Sequence, residues 1–277
     1  MKKQIKLFSV IALLFCAITA KAQTDSTFYI KGAIGRLAAH LQLPDLKKGE
    51  KCPVVIICHG FTGNQNEPLL RAIADNLVNA GIGALRFDFN AHGQSEGDFV
   101  NMTVPNEIED ALSIIAFAHS LPQTSSISLL GHSQGGVVSA MTAGQLGNEI
   151  QSVVLMAPAA VLRDDALRGN TMGAMYDPWH APEYVTMPSG HKLGRNFIQT
   201  AITLPIYETA QKYEGPALII HGMDDRVVPY TYGERFHQVM KNSEIILIPG
   251  ENHGFGTNLP YAASMASEWL VKNLKAQ

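Results

Sequence analysis

Residues 127–136 read Ile-Ser-Leu-Leu-Gly-His-Ser-Gln-Gly-Gly, and this stretch decides the fold. Its first half is an apolar run typical of a buried strand, its end is a Gly-x-Ser-x-Gly motif, and helical spacing of apolar residues begins at Gln134. A serine on so sharp a turn has a strained backbone, which small neighbours such as Gly131 and Gly135 permit. The pattern predicts that Ser133 is a nucleophile on a strand-to-helix turn. The alternative is a Gly/Ser loop in an unrelated α/β protein.

The N-terminal segment, residues 1–22, has the pattern of a signal peptide. Three lysines precede an apolar stretch, and Ala20-Lys21-Ala22 forms a small-x-small cleavage site. The apolar stretch is too short to span a bilayer comfortably, so we expect no stable membrane insertion. The mature chain, residues 23–277, is therefore predicted to be exported to the periplasm or secreted.

The mature chain has a size and charge that narrow its class. Its 255 residues suit one large domain. Removal of the four lysines of the signal peptide changes the formal net charge from −3 to −7. Because a negative surface does not attract nucleic acid, we expect no nucleic-acid partner. The oligomeric state stays open, with a homodimer as one alternative.

Apolar runs alternate with helical patterns along most of the mature chain. Strands are predicted at 53–58, 82–89, 126–132, 152–156, 216–221 and 244–248, after an edge hairpin at 27–43. This alternation predicts an α/β fold with a mostly parallel central sheet and helices on both faces. It stops at about residues 160–215, a segment too long for an ordinary connection. We interpret that segment as an inserted lid over the carboxyl ends of the strands, where such sheets bind ligands.

Two later loops carry the partners that a nucleophilic serine needs. A serine hydroxyl requires a histidine to take its proton, and the histidine requires a carboxylate to fix its tautomer. Both partners should lie at the carboxyl ends of later strands. The loop after residue 221 offers Asp224 and Asp225, and the loop after the last strand contains His253. The spacing therefore predicts a Ser133–aspartate–His253 triad.

Over essentially the whole mature chain, the sequence resembles the α/β-hydrolase superfamily, in which the triad follows this chain order. The resemblance implies that the carboxylate is the last Asp of His-Gly-x-x-Asp-x-x-Val-Pro, which selects Asp225, with Asp224 as the alternative. It also implies an oxyanion hole made of the backbone N–H groups of Phe61 and Gln134. We expect no metal and no organic cofactor, because side chains, main-chain amides and water suffice for the mechanism.

Within the superfamily, the sequence is most similar to bacterial cinnamoyl (feruloyl) esterases. The matching pieces are His-Gly-Phe-Thr-Gly at 59–63, Gly-His-Ser-Gln-Gly-Gly at 131–136, Ala-Pro-Ala-Ala at 157–160, Asp-Ala-Leu-Arg-Gly-Asn-Thr at 165–171 and Leu-Pro-Ile-Tyr-Glu at 204–208. The resemblance implies a serine esterase that hydrolyses hydroxycinnamoyl esters of plant cell-wall sugars through an acyl-enzyme. The substrate would be a small-molecule or oligosaccharide ester. By position, Asp165 would accept a hydrogen bond from the phenol hydroxyl.

The resemblance is incomplete where specificity is set. Met172 and Phe197 stand where well-matched relatives are expected to have Gln and Tyr, so apolar contacts would replace two polar ones. Strong selectivity for a hydroxyl comes from buried polar groups that must be paired. We therefore expect an enzyme with little preference for the phenolic hydroxyl.

Three other functions share parts of the pattern. A general carboxylesterase or acetyl esterase would have the same triad and a different lid. A serine exopeptidase shares triad and fold, and a binding protein could keep the fold without turnover. Among the other histidines, we expect His59 and His132 to hold loops, and His180 and His191 lack the ligand spacing of a metal site.

Overall fold

The structure, a computed structural model, describes residues 24–275, so the predicted signal peptide at residues 1–22 lies outside it. The strands are β1 (Thr24–Lys31), β2 (Arg36–Leu43), β3 (Cys52–Cys58), β4 (Gly83–Phe87), β5 (Thr124–His132), β6 (Ile150–Met156), β7 (Asn170–Thr171), β8 (Ala174–Met175), β9 (Tyr184–Thr186), β10 (Lys192–Gly194), β11 (Ala217–Gly222) and β12 (Ser243–Ile248). The helices are α1 (Pro68–Asn79), α2 (Val104–Ser120), α3 (Gln134–Leu146), α4 (Val161–Arg168), α5 (Arg195–Ile202), α6 (Ile206–Ala210), α7 (Thr231–Val239) and α8 (Leu259–Lys275). Within the described range, no helix combines the length and apolar character needed to cross a membrane.

Eight strands form one sheet in the order β1-β2-β4-β3-β5-β6-β11-β12. The pairs β1–β2 and β2–β4 are antiparallel, and every other neighbouring pair in this sheet is parallel. The predicted fold class, a mostly parallel sheet with an antiparallel edge hairpin, is confirmed. Because six neighbouring strands run in one direction, their carboxyl ends meet at one edge of the sheet, where ligand sites of such folds lie.

Both faces of the sheet are covered by helices. In β3, Val54 and Ile56 pack with residues of α2 and α3, whereas Val55 and Ile57 pack on the opposite face with residues of α1 and α8. All four side chains are completely buried. Burial of each side chain of this size contributes about 1.5–3 kcal/mol, so the strand is stabilised from both sides. This explains why the strand is a continuous apolar run in the sequence.

The segment between β6 and β11 interrupts the strand–helix alternation of the main sheet. It contains the helices α4, α5 and α6 and two two-stranded sheets, β7–β8 and β9–β10. Its side chains Leu193, Phe197 and Ile198 belong to the same buried cluster as α2 and α3. The sequence predicted none of these elements, because stretches of two to eight residues are too short to show a reliable period.

The turn between β5 and α3 is shaped by a close backbone approach. Ser133 has φ 55° and ψ −122°, a conformation that residues with a side chain rarely adopt. A Cβ atom at Gly131 would overlap the carbonyl of Gly135, and one at Gly135 would overlap the carbonyls of Cys58 and His59. Glycine is therefore required at both positions, and the turn holds Ser133 against the loop that follows β3.

This contact makes Gly135 a stability-determining position. We predict that Gly135→Ala lowers the free energy of unfolding by at least about 3 kcal/mol, because the added methyl group meets backbone atoms that cannot rotate away. Gly49→Ala is the matched control: Gly49 has φ 86° and nothing within 4 Å of an added Cβ, so only the backbone strain of about 1 kcal/mol applies. Equilibrium urea denaturation of both variants measures the difference, and equal losses would contradict the prediction.

Candidate active site

The loops after β5, β11 and β12 bring three predicted side chains into contact. Ser133 Oγ lies 2.9 Å from His253 Nε2, and His253 Nδ1 lies 2.7 Å from Asp225 Oδ2. Ser133 and Asp225 are buried, and His253 is half-buried. The side chains thus form one hydrogen-bonded chain that leads from a buried carboxylate to the serine hydroxyl.

Asp225 is held in place by its own loop. Its Oδ1 accepts hydrogen bonds from the backbone N–H groups of Val227 and Val228, each at 2.8 Å. Burial alone would raise the pKa of the Asp225 carboxyl, but hydrogen bonds from His221 and His253 and the charge of His253 outweigh it and hold the pKa well below its usual value. Asp225 is therefore an anion at neutral pH. Asp224 is exposed, and the structure pairs His253 with Asp225 instead.

The carboxylate decides the tautomer of His253. Because the ionised Asp225 only accepts hydrogen bonds, the proton of neutral His253 resides on Nδ1. The lone pair of Nε2 then faces the Ser133 hydroxyl, which donates to it. This arrangement allows His253 to remove the serine proton while Asp225 stabilises the resulting imidazolium.

The two amides predicted to form an oxyanion hole flank the serine. Gln134 is the residue after Ser133, and Phe61 lies in a turn closed by a 3.0 Å hydrogen bond from Gly63 N–H to Gly60 O. A Cβ atom at Gly60 would lie 3.0 Å from the Cβ of Ser133, so this turn is directly beside the nucleophile. Within residues 24–275, neither the Phe61 nor the Gln134 amide donates to another residue. Both are therefore available to an oxygen bound beside Ser133.

Two buried histidines brace the turn that contains Phe61. His59 donates from Nδ1 to Gly60 O at 2.7 Å and accepts at Nε2 from Phe89 N–H at 3.0 Å. His92 accepts at Nε2 from Thr62 N–H at 3.2 Å. Burial lowers the pKa of His59 to about 3 and also lowers the pKa of His92. Both side chains are thus neutral near pH 7, as acceptance at Nε2 requires.

The side chain of Gln134 is anchored away from its amide. Its Nε2 donates to Glu107 Oε2 at 2.8 Å. Glu107 lies on α2 and is almost fully buried, and this burial raises the pKa of its carboxyl well above the usual value. The contact ties the first residue of α3 to α2 and so fixes the orientation of the Gln134 peptide.

One cavity joins Ser133 to the insertion. Its lining includes all three side chains predicted to contact substrate, Asp165, Met172 and Phe197. The Phe197 ring is buried and lies 5.6 Å from the Phe61 ring, whereas Met172 is half exposed. Asp165 Oδ1 accepts a 2.6 Å hydrogen bond from Arg168 Nη2. The cavity therefore has aromatic walls and one charged group contributed by α4.

The sequence assigned no position in the active-site cavity, and no support of it, to three polar side chains that the structure places there. Glu67 and His132 line the cavity, and Glu107 supports Gln134 from behind. His132 was expected only to hold a loop, and it does donate from Nε2 to His253 O at 2.9 Å. The one sequence feature that could have placed Glu67 at the site is its position shortly after His-Gly-Phe-Thr-Gly. Its spatial neighbours come from distant parts of the chain, so no local pattern reveals them.

The histidines of the insertion have simple partners. His180 Nδ1 lies 2.9 Å from Asp177 Oδ2, and the His191 ring lies against Phe99. Throughout residues 24–275, no group of three or more His, Cys, Asp or Glu side chains is arranged to hold a metal ion.

Comparison with known proteins gives consistent matches. A family model described as serine aminopeptidase, S33 (Hydrolase_4), matches residues 49–180. Est1E from Butyrivibrio proteoclasticus, solved with ferulic acid bound, is 31% identical with a TM-score of 0.85, over 90% of this chain and 100% of Est1E. The palmitoyl-protein thioesterase ABHD10 of Mus musculus is 27% identical over 198 residues, which are 68% of this chain. A 31.7 kDa Escherichia coli protein is 34% identical over 116 residues, 40% of this chain.

These matches define a serine-type hydrolase with an α/β fold. The chain spans 65% of the length of the mouse protein and 40% of the Escherichia coli protein, but it covers the whole of Est1E. On this similarity, the chain belongs to the α/β-hydrolase superfamily of serine hydrolases.

The neutral state of His59 makes stability depend on pH. Its pKa falls from an ordinary 6.5 to about 3 on folding, so its contribution is complete above about pH 6.5 and is lost as the pH falls toward 3. We predict that His59→Ala lowers the free energy of unfolding by about 2–4 kcal/mol at pH 7, because it leaves a cavity and an unpaired Phe89 N–H.

The same variant should lose less further stability on acidification. Between pH 6 and 4 its free energy of unfolding should depend on pH less steeply than that of the parent, by up to about 1.4 kcal/mol per pH unit. Urea denaturation at several pH values measures both quantities. His119→Ala, which removes an exposed histidine at the end of α2, is the control. Parallel pH profiles for parent and His59→Ala would contradict the assignment.

Proposed function

We propose that this protein is a serine esterase that hydrolyses carboxylic esters with aryl acyl groups, above all hydroxycinnamoyl (feruloyl or cinnamoyl) esters of plant cell-wall sugars. The observation that carries the proposal is the hydrogen-bonded chain Ser133–His253–Asp225 at the end of a cavity with aromatic walls. The similarity to Est1E, which was solved with ferulic acid, supports the choice of acyl group.

The acylation step follows from the hydrogen bonds of the site. Ser133 Oγ attacks the ester carbonyl carbon while His253 Nε2 takes the hydroxyl proton. The carbonyl oxygen becomes an oxyanion that accepts hydrogen bonds from the Phe61 and Gln134 amides. Each such donor lowers the barrier by about 2.7–4 kcal/mol, because it is already oriented when the charge develops. Asp225 stabilises the imidazolium throughout.

The acyl-enzyme forms and breaks by the same proton route. His253 returns the proton to the ester oxygen, the carbon–oxygen bond breaks, and the alcohol leaves with the acyl group bound to Ser133. A water molecule then gives a proton to His253 and attacks the acyl carbon. Collapse of this second intermediate releases the carboxylic acid and restores the Ser133 hydroxyl.

The insertion would contact the acyl half of the ester. Phe61 and Phe197 provide ring faces for an aromatic acyl group, and offset aromatic pairs add about 0.5–1.5 kcal/mol to simple area burial. Asp165 lines the same cavity and is the proposed acceptor for a phenol hydroxyl. Its hydrogen bond from Arg168 orients the carboxylate.

We also propose that the enzyme works outside the cytoplasm, in the periplasm or secreted. The support is the basic start, apolar stretch and small-x-small site within residues 1–22. Esters of cell-wall sugars would be encountered there. N-terminal sequencing of the protein purified from the periplasm or culture medium should give Gln23 as the first residue.

The triad assignment predicts distinct effects for neighbouring aspartates. Ser133→Ala should lower kcat by about 10⁴-fold or more, and Asp225→Asn by about 10⁴-fold, because the second leaves His253 in the wrong tautomer. Asp224→Asn is the matched control and should retain activity, since Asp224 is exposed and His253 is hydrogen-bonded to Asp225. Steady-state hydrolysis of methyl cinnamate measures all three. Strong loss in Asp224→Asn with little loss in Asp225→Asn would reverse the assignment.

A substrate panel tests the proposed reaction. Methyl ferulate, methyl p-coumarate and methyl cinnamate should release free acid in a Ser133-dependent manner, whereas acetylated xylan and an aminoacyl p-nitroanilide should release little product. The aromatic cavity walls favour the first three substrates. Release from acetylated xylan alone would identify an acetyl esterase, and release from the anilide alone would identify an exopeptidase. Either result would overturn the aryl-ester proposal.

The apolar side chains Met172 and Phe197 predict weak discrimination between acyl rings. We expect kcat/KM for methyl ferulate and methyl cinnamate to agree within about tenfold, because Asp165, the one proposed polar partner, keeps its hydrogen bond from Arg168 when the plain ring is bound. Phe197→Tyr should raise the ferulate-to-cinnamate ratio by about 2- to 12-fold if its hydroxyl meets the phenol, the range of one neutral hydrogen bond. A hundredfold preference for ferulate in the parent enzyme would rule out the prediction.

A further inference from the structure

The two halves of an ester contact different groups around a catalytic histidine. The proton that leaves Ser133 is returned to the alcohol oxygen by His253 Nε2, so the alcohol must lie within hydrogen-bond reach of that atom. Side chains that flank His253 in the cavity are therefore the candidates for contact with the alcohol half of the substrate. His132 is one of them: its ring centroid is 5.0 Å from that of His253.

The tautomer of His132 is determined by the backbone. A carbonyl only accepts, so the 2.9 Å contact with His253 O places the proton of His132 on Nε2. Burial, together with the neighbouring His253, lowers the pKa of His132 to about 4, so it is neutral at pH 7. Its Nδ1 therefore carries a lone pair. This buried atom has no hydrogen-bond partner within residues 24–275. Solvent reaches little of the side chain, which is only 9% exposed.

Glu67 faces this unpaired atom from the start of α1. Its Oε2 lies 3.9 Å from His132 Nδ1, too far for a direct hydrogen bond, and both residues line the cavity of Ser133. Its Oε1 accepts from Asn64 N–H at 3.3 Å. The carboxylate does not cap α1, although Glu67 is the N-cap residue. Two acceptor atoms thus face each other, and no protein donor in the described chain serves Oε2.

The fold makes room for this carboxylate. A Cβ atom at Gly63 would overlap Glu67 Oε1, so the absence of a side chain at Gly63 allows Glu67 to turn back toward His132. About a quarter of the Glu67 side chain is exposed, and Glu67 lines the same cavity as Ser133. A hydroxyl group that donates to Glu67 Oε2 would relieve the unfavourable approach of this acceptor to the unpaired lone pair of His132 Nδ1.

We infer that Glu67, backed by His132, is a hydroxyl-binding subsite for the alcohol half of the substrate. The inference rests on the proposed ester hydrolysis and names the alcohol class: a polyhydroxy alcohol, such as a sugar or glycerol, whose second hydroxyl donates to Glu67 Oε2. A simple alkyl alcohol leaves this carboxylate without a donor. Glu67 thus determines specificity for the leaving group, whereas the insertion contacts the acyl group.

A matched pair of esters tests the subsite. Propyl and 2,3-dihydroxypropyl esters share a carbon skeleton and differ only in hydroxyl groups. For each of the feruloyl, cinnamoyl and acetyl groups, we expect the parent enzyme to show about tenfold higher kcat/KM for the dihydroxypropyl ester, the value of one hydrogen bond to a charged group. Glu67→Ala should lower this ratio to near one, Glu67→Gln should give an intermediate value, and Glu268→Gln, an exposed change on α8, should leave it as in the parent.

Active enzyme is counted by titration of Ser133 with a fluorophosphonate, so that misfolded protein does not affect the ratio. A ratio near one in the parent, or equal losses on both esters in Glu67→Ala, would overturn the subsite and leave Glu67 a structural role only. The acyl group is varied so that the two proposals can fail separately. If only acetyl esters were hydrolysed, the assignment of an aryl acyl group would be refuted, but the preference for the alcohol could still be measured.

Binding provides a readout that does not need turnover. Calorimetry with Ser133→Ala should give about tenfold tighter binding of the dihydroxypropyl ester than of the propyl ester, and Ser133→Ala/Glu67→Ala should bind the two equally. If no ester is hydrolysed but this difference is present, the proposed reaction fails and the hydroxyl subsite stands. If the two esters bind Ser133→Ala equally, the subsite is refuted.

Discussion

The site depends on a backbone contact that leaves no space for a side chain. The turn at Gly135 lies against the carbonyls of Cys58 and His59, which end β3 and begin the next loop. This contact sets two things at once. It holds Ser133 at a positive φ on the end of β5, and it places the following turn, with Phe61, beside the serine. The spacing between Ser133 and the amides of Phe61 and Gln134 is therefore fixed mainly by backbone packing, before any side chain of the cavity contributes.

The histidines of the site differ in their hydrogen-bond partners. His59, His92 and His132 each bond to backbone groups, and burial lowers the pKa of all three. His253 instead donates to a carboxylate, Asp225, whose own pKa is held low. Burial thus opposes the imidazolium form at His59, His92 and His132, whereas His253 is the histidine that pairs with both Asp225 and Ser133. A crowded group of imidazoles can therefore provide a single base that faces the serine.

The sequence could predict the sheet and which three side chains lie in contact at its edge, because both depend on local patterns. Strands buried on both faces are continuous apolar runs, and Ser133 and His253 follow such runs directly. The choice of Asp225 over Asp224 needed the family motif, because residue spacing alone does not distinguish two adjacent aspartates. The helices of residues 160–215 were missed because they are short. Glu107 was missed because its contact with Gln134 joins two helices, and no local pattern reports such a pairing.

The reaction and its specificity are located in different parts of the chain. Ser133, Asp225, His253 and the amides of Phe61 and Gln134 all lie at the carboxyl edge of the central sheet, whose position follows from strand pairing. Asp165, Met172 and Phe197 come from the insertion, which packs onto the sheet domain through its own apolar side chains. A substitution in the insertion can reshape the cavity wall without moving the sheet edge. For this reason the sheet and its motifs identify the class of reaction, whereas the acyl preference has to be argued from individual contacts in the insertion.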